Sequence, residues 1–166
     1  MGTLTVETSS VRVAIVDDHD AVRLGFAGMC ENSDLELVGE AATVRELISK
    51  INGLECQVVV MDLSLADGSL VTENVSQLIA AGSAVLIYSI ADKTNLMRTA
   101  IRAGAVAIVP KSQPLAYLAE IIRLAADGAI INNPETSAMI DADANFKDAN
   151  LSAREREVLS LYSSGM

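Results

Sequence analysis

Histidine and cysteine are scarce in this chain. His19 is the single histidine, and the two cysteines, Cys30 and Cys56, are distant and form no Cys-x-x-Cys pair. Without clustered thiols and imidazoles a familiar zinc site is excluded. Two distant cysteines read as reduced, buried thiols, not as a redox pair. Positive charge is short as well: 12 Lys and Arg face 22 Asp and Glu, a net charge of −10. The chain as it stands is therefore not suited to hold nucleic acid by neutralising phosphates. Although 51% of the residues are hydrophobic, enough for a real core, no run approaches the length of a membrane-spanning helix. Residues 1–10 lack the basic start and apolar middle of a signal peptide and read as a disordered leader on a cytoplasmic protein, with no membrane partner. No internal repeat or low-complexity tract is present.

What the chain does have is a series of short apolar runs that end in polar groups. The central one is Val58-Val59-Val60-Met61, which stops at Asp62. Three β-branched residues without polar alternation suit a strand buried on both faces. Val11–Val16 is a similar strand running into Asp17-Asp18-His19-Asp20, and Ala84–Ser89 and Val106–Val109 are two more, the last followed by Pro110-Lys111-Ser112. Leu35–Glu40 alternates in part and suits an edge strand. Between the strands, apolar residues fall at helical spacing: Val22, Phe26, Met29 and Cys30; Val44, Leu47, Ile48 and Ile51; Val71, Val75, Leu78 and Ile79; Leu96, Met97, Ala100 and Ile101; Leu115, Leu118, Ile122 and Ala125. Thr43 and Glu46 form a capping box, and Gly53, Gly82, Gly104 and Gly128 mark helix ends. Five strands alternating with five helices, over connections too long for hairpins, make a doubly wound α/β domain with a parallel sheet over residues 11–128.

In such a sheet the carboxyl ends of the strands share one edge, where open α/β folds place their ligands. Asp17, Asp18, Asp62, Ser89 and Lys111 all follow strand ends, so three carboxylates, a hydroxyl and an amine meet in one cleft. Crowded carboxylates repel one another unless a cation is present, and Mg2+ suits an all-oxygen site that serves phosphoryl groups. Such an ion could orient a phosphoryl donor and leave one carboxylate as nucleophile. Lys111 supplies a point charge and Ser89 a hydroxyl for phosphoryl oxygens. His19 reads as a neighbour of the site and Asp67 as a turn residue.

Taken together, Val16-Asp17-Asp18-His19, Asp62 after Val58–Met61, Ser89 after Val85–Tyr88, and Val109-Pro110-Lys111-Ser112 resemble the receiver domain of two-component response regulators. The resemblance implies a CheY-like, flavodoxin-like sheet of order 2-1-3-4-5. It implies Asp62 as phosphoacceptor and Asp17 and Asp18 as the acidic pair, Asp18 being the more direct Mg2+ ligand. The Ser64 backbone carbonyl would be a further ligand, Ser89 the switch hydroxyl, and Lys111 the phosphate-contacting lysine. A cis peptide before Pro110 or after Lys111 is implied too. The chain departs from the family at Ala66, at Leu70, at Ile90, which narrows access to Asp62, and at Ile108, where an aromatic is usual.

Residues 129–150 read as a polar linker with a short helix around Glu135 to Ile140. Leu151–Leu159 carries a second capping box, Ser152 with Glu155, and resembles the first helix of the LuxR-type helix-turn-helix of NarL/FixJ regulators. Residues 151–166 would be the truncated start of that DNA-binding domain, and Arg154 and Arg156 pair with nearby glutamates. The resemblance implies a sensor histidine kinase as phosphodonor, a homodimer, and DNA contact only through the missing remainder of the C-terminal domain. Two other functions stand beside the switch. One is a degenerate receiver acting without phosphorylation. The other is an aspartyl-nucleophile phosphohydrolase, against which Ser64 occupies the place of the second acid.

Overall fold

The computed structural model describes residues 10–90 and 93–141. Along the chain run β1 (Val11–Val16), α1 (Asp20–Glu31), β2 (Leu35–Ala41), α2 (Val44–Lys50), β3 (Val58–Met61), α3 (Val71–Ala80), β4 (Ala84–Ser89), α4 (Thr94–Ala103), β5 (Ala107–Pro110) and α5 (Leu115–Ala126). The five strands form one parallel sheet in the order β2-β1-β3-β4-β5. This is the doubly wound α/β fold that the alternating runs imply, with β2 at an edge as its mixed pattern requires.

The unbroken apolar runs arise because both faces of the sheet are covered. Val58 and Val60 of β3 join Phe26, Leu118 and Ile122 in the layer under α1 and α5. Val59 and Met61, one residue out of phase, join Leu47, Val75, Leu78 and Met97 in the layer under α2, α3 and α4. The strand period of two thus sends alternate residues into two separate cores. Each fully buried Val, Leu or Ile contributes about 2 kcal/mol, so the central strands carry much of the stability while leaving their carboxyl ends free for polar groups.

Of the expected capping box, the Thr43 half is seen. The Thr43 hydroxyl accepts the Glu46 N–H at 3.1 Å, capping α2; the Glu46 carboxylate itself lies 3.1 Å from Lys50. Gly104 ends α4 with φ +115°. The last strand is shifted by one residue from the expected Val106–Val109. It runs from Ala107 to Pro110, with Pro110 opposite Ser89. Proline is tolerated there because β5 is an edge. The Lys111 N–H points inward to the Ser89 carbonyl and the Ile108 N–H points outward, so the N–H that Pro110 lacks falls on the open side. The cis peptide expected beside Pro110 or Lys111 is corrected: every described peptide bond is trans, as suits a proline continuing an extended ladder.

Beyond α5, residues 134–141 form the expected linker helix, and the segment is not detached. Ile131, Asn133 and Thr136 are buried. The leader at 1–9 and the capping box and helix at 151–159 lie outside the described residues. No helix among the described residues is long and apolar enough to cross a membrane.

Candidate functional site

Four neighbouring strands deliver the polar groups. Asp17 and Asp18 leave β1, Asp62 leaves β3, Ser89 ends β4, and Lys111 follows β5. The ladders hold these exits in place: the Asp62 N–H donates to the Val16 carbonyl at 3.0 Å, and the Lys111 N–H to the Ser89 carbonyl at 2.9 Å. Asp17 and Asp62 are buried and Asp18 is half-buried. One oxygen from each of Asp17, Asp18 and Asp62 and one ring nitrogen of His19 lie within 4.8 Å of one another.

Lys111 sits among the carboxylates. Its Nζ is 2.8 Å from Asp17 Oδ2 and 3.6 Å from Asp62 Oδ2. On the other side, His19 Nδ1 is 2.9 Å from Asp17 Oδ1 and 3.1 Å from Asp18 Oδ1. Burial pushes the Asp62 carboxyl above the usual aspartate range; the Asp17 charge adds to this, and Lys111 and Lys93 oppose it. The Leu63 N–H donates to Asp62 Oδ1 at 2.9 Å and so aims one carboxylate oxygen. The other oxygen faces Lys111, in position to act as a nucleophile next to a cation.

Two buried atoms lack partners. Asp18 Oδ1 accepts no well-directed hydrogen bond, and Ser89 Oγ, with Ser89 fully buried, has none either. A carboxylate oxygen in a nest of three acids, with only the His19 ring nitrogen at 3.1 Å, is a natural ligand for a hard cation. A buried hydroxyl without a partner can donate to an anion. The residues present therefore fit Mg2+ together with a phosphoryl group. Ser64 is exposed in the loop two residues after Asp62. Asp67 is the turn residue expected of it, its Oδ1 accepting the Ser69 N–H at 3.1 Å before Gly68 turns at φ +70°. Ile108 is fully buried and Ile90 is 58% exposed.

His19 is the neighbour of the site expected of it, its ring contacting both acids of the pair. Two further contributors escaped the sequence reading. Arg23 donates to the Asp17 carbonyl at 2.5 Å and pairs with Asp20 and Glu40, tying α1 to the β1 exit. Lys93, at the start of α4, adds positive potential at Asp62. Only Arg23 had a local signal, its spacing of three from Asp20 on a helix.

Comparison with known proteins bears on the family and the fold. Residues 13–123 match the response regulator receiver domain. The chain is 31% identical over 157 residues to the transcriptional regulatory protein UhpA of Salmonella typhimurium, covering 94% of this chain and 78% of that protein. It is 28% identical over 163 residues to the response regulator protein VraR of Staphylococcus aureus, covering 94% and 77% respectively. Among solved structures, a LuxR-family two-component response regulator from Aurantimonas sp. SI85-9A1 superposes with a TM-score of 0.70 at 27% identity, over 82% of this chain and 99% of that one. With the sheet order, the acid cluster and these relatives in agreement, the chain belongs to the two-component response regulators of the LuxR type, and residues 13–123 are its receiver domain.

Proposed function

We propose that Asp62 accepts a phosphoryl group from a sensor histidine kinase in the cytoplasm, and that the resulting change controls a DNA-binding output carried by further C-terminal residues. The observation that carries this is the Lys111 ammonium 3.6 Å from the Asp62 carboxylate, with the buried and unpartnered Ser89 hydroxyl at the end of the neighbouring strand β4. An Asp62 oxygen attacks phosphorus in line as the bond from phosphorus to the donor imidazole breaks. The electron pair stays on the imidazole nitrogen, and an acyl phosphate forms on Asp62. Asp17, Asp18, Asp62 and the Ser64 carbonyl would hold Mg2+. Bound there, the ion neutralises charge on the phosphoryl oxygens in the transition state.

Lys111 exchanges part of its pairing with Asp17 for a phosphoryl oxygen, and the Ser89 hydroxyl donates to another. Both movements pull on β4 and β5, which are joined directly by the Lys111 to Ser89 backbone bond. Such a local charge event can bias a two-state element. The DNA-binding output and a homodimer belong to the same proposal.

Incubation with acetyl phosphate and Mg2+, read by intact mass, tests the assignment. The wild-type chain gains one phosphoryl group and Asp62→Asn gains none; equal labelling of the two refutes the role of Asp62. A second reading, a receiver that signals without phosphorylation, is favoured by Ile90 and Ile108 standing where the family has a small residue and an aromatic. It predicts no labelling of the wild-type chain under the same conditions.

A further inference from the structure

An edge strand exposes one row of backbone N–H and C=O groups, and proteins cover or blunt it. In this chain the open side of β5 is covered from within. The Ile108 N–H donates to Thr136 Oγ1 at 2.8 Å, and the Ile108 carbonyl accepts from Asn133 Nδ2 at 2.7 Å. Two side chains thus satisfy both outward groups of one strand residue, as a sixth strand would. Thr136 is fully buried and Asn133 is 7% exposed. The Ser137 N–H donates to the Asn133 carbonyl at 3.0 Å, which makes Asn133 the first residue of the helical turn that presents Thr136. Met139 packs on the core layer under α4. The contact is specific and buried, so the beginning of the linker packs as part of the receiver.

Its location matters more than its existence. Ile108 of β5 lies three residues before Lys111, which follows the strand, and Pro110 of that strand pairs with Ser89. A half-open pocket of about 280 Å³ lies between α4, β5 and the linker helix, and Met97, Ile108, Pro134 and Met139 are among its walls. The Asn133 Oδ1 atom is buried without a partner. The hold on Ile108 therefore combines two good hydrogen bonds with one unsatisfied atom beside an open pocket, a combination able to shift when β5 moves.

We propose that Asn133 and Thr136 clamp residues 131–141 to the open edge of β5 through Ile108, and that this clamp carries the state of the Asp62 site to the chain beyond residue 141. The proposal rests on Asp62 being the phosphoacceptor. It replaces the rotation of an aromatic side chain at position 108 by the gain or loss of a backbone docking contact. Coupling of this kind is reciprocal: if loading the site moves the clamp, loosening the clamp must change the affinity of the site.

The test uses hydrogen exchange read by mass spectrometry on the whole 166-residue chain, with beryllofluoride and Mg2+ as the phosphoryl mimic. Thr136→Val removes the acceptor at nearly constant volume, Thr136→Ser restores the hydroxyl, and Thr99→Val, on α4, is a control. Thr136→Val should speed exchange over 131–141 by roughly tenfold, the loss of one buried hydrogen bond, while Thr136→Ser and the control stay near wild type. Loading the wild-type site should alter exchange over 131–141, and Thr136→Val should change the apparent beryllofluoride affinity by about fivefold or more. Unchanged exchange in Thr136→Val overturns the clamp. A loaded site, shown by protection around Asp62, with exchange over 131–141 and the affinity both unchanged overturns the coupling and leaves the role of Asp62 intact. A chain that takes neither beryllofluoride nor acetyl phosphate removes that role and the coupling with it.

Discussion

At the scale of single residues, the site is a balance between buried negative charge and one lysine. Asp62 has its carboxyl pushed above the usual range mainly by burial, so the folded chain takes up a proton there more readily than the unfolded chain. For such a group, stability rises as pH falls through the raised folded value and levels off below the unfolded value; at neutral pH the burial cost is present in full. Asp62→Asn keeps the shape and removes the charge. In EDTA it should melt at a higher temperature than wild type near pH 7, and the gap should close as scans move down towards pH 4. A gap that grows on acidification would mean that pairing with Lys111 outweighs burial. Lys111→Met should act in the opposite sense. It strips a cation 2.8 Å from the buried Asp17 and 3.6 Å from Asp62, and leaving buried carboxylates uncompensated costs about 3 kcal/mol. Thermal scans in EDTA should show that loss, and Mg2+ should recover part of it, because a second cation can take the place of the first.

At the scale of elements, most of the fold was legible because the central strands are buried on both sides and so read as unbroken apolar runs, bounded by glycines that end helices. The misplacement of β5 shows where that logic stops. Val106 is apolar but 37% exposed, whereas Pro110, a residue that argues against a strand, continues one because its nitrogen faces the open edge. The linker contact was invisible for a related reason. Asn133 and Thr136 are polar residues in a polar stretch, and nothing nearby in sequence says that an edge strand's Ile108 needs partners. Glycine roles, by contrast, can be tested separately. Gly104 has φ +115° and an added Cβ would stand 2.7 Å from Ile79 Cδ1; Gly53 has φ +80° with nothing within 4 Å. Both alanine variants meet backbone strain of about 1–2 kcal/mol, and only Gly104→Ala also displaces the α3 side chain. Denaturant titrations should therefore find Gly104→Ala the more destabilising of the two. The excess should disappear when both are compared in an Ile79→Ala background, as a double-mutant cycle isolates a contact. An excess that persists there would place its origin in the turn itself.

At the scale of the whole molecule, the acid cluster was readable from sequence only as an ordered set. No single acid, serine or lysine is distinctive, but a parallel sheet sends successive strand ends to one edge, so order along the chain becomes proximity in space. Arg23 and Lys93 were missed because they enter through side-chain reach, which order does not encode. The same edge concentrates charge on a chain whose net charge is −10, and two effects of added Mg2+ have to be told apart. Any salt screens repulsion among exposed acids, and this should raise the melting temperature equally for NaCl and MgCl2 at matched ionic strength. Specific binding adds the free energy of saturation, about 1.4 kcal/mol at ten times Kd, or about 3–6 °C for a chain of this size. MgCl2 should thus stabilise the wild-type chain beyond NaCl, and Asp18→Asn should lose the surplus while keeping the screening component. Asp18 is the right probe because its Oδ1 is buried without a well-directed hydrogen bond and has the His19 ring nitrogen at 3.1 Å, and asparagine keeps the shape of the side chain while removing the charge that a cation finds there. If the surplus survives in Asp18→Asn and vanishes in a variant of an acid remote from the cluster, such as Glu36→Gln, Mg2+ binds elsewhere and the cluster is not its site.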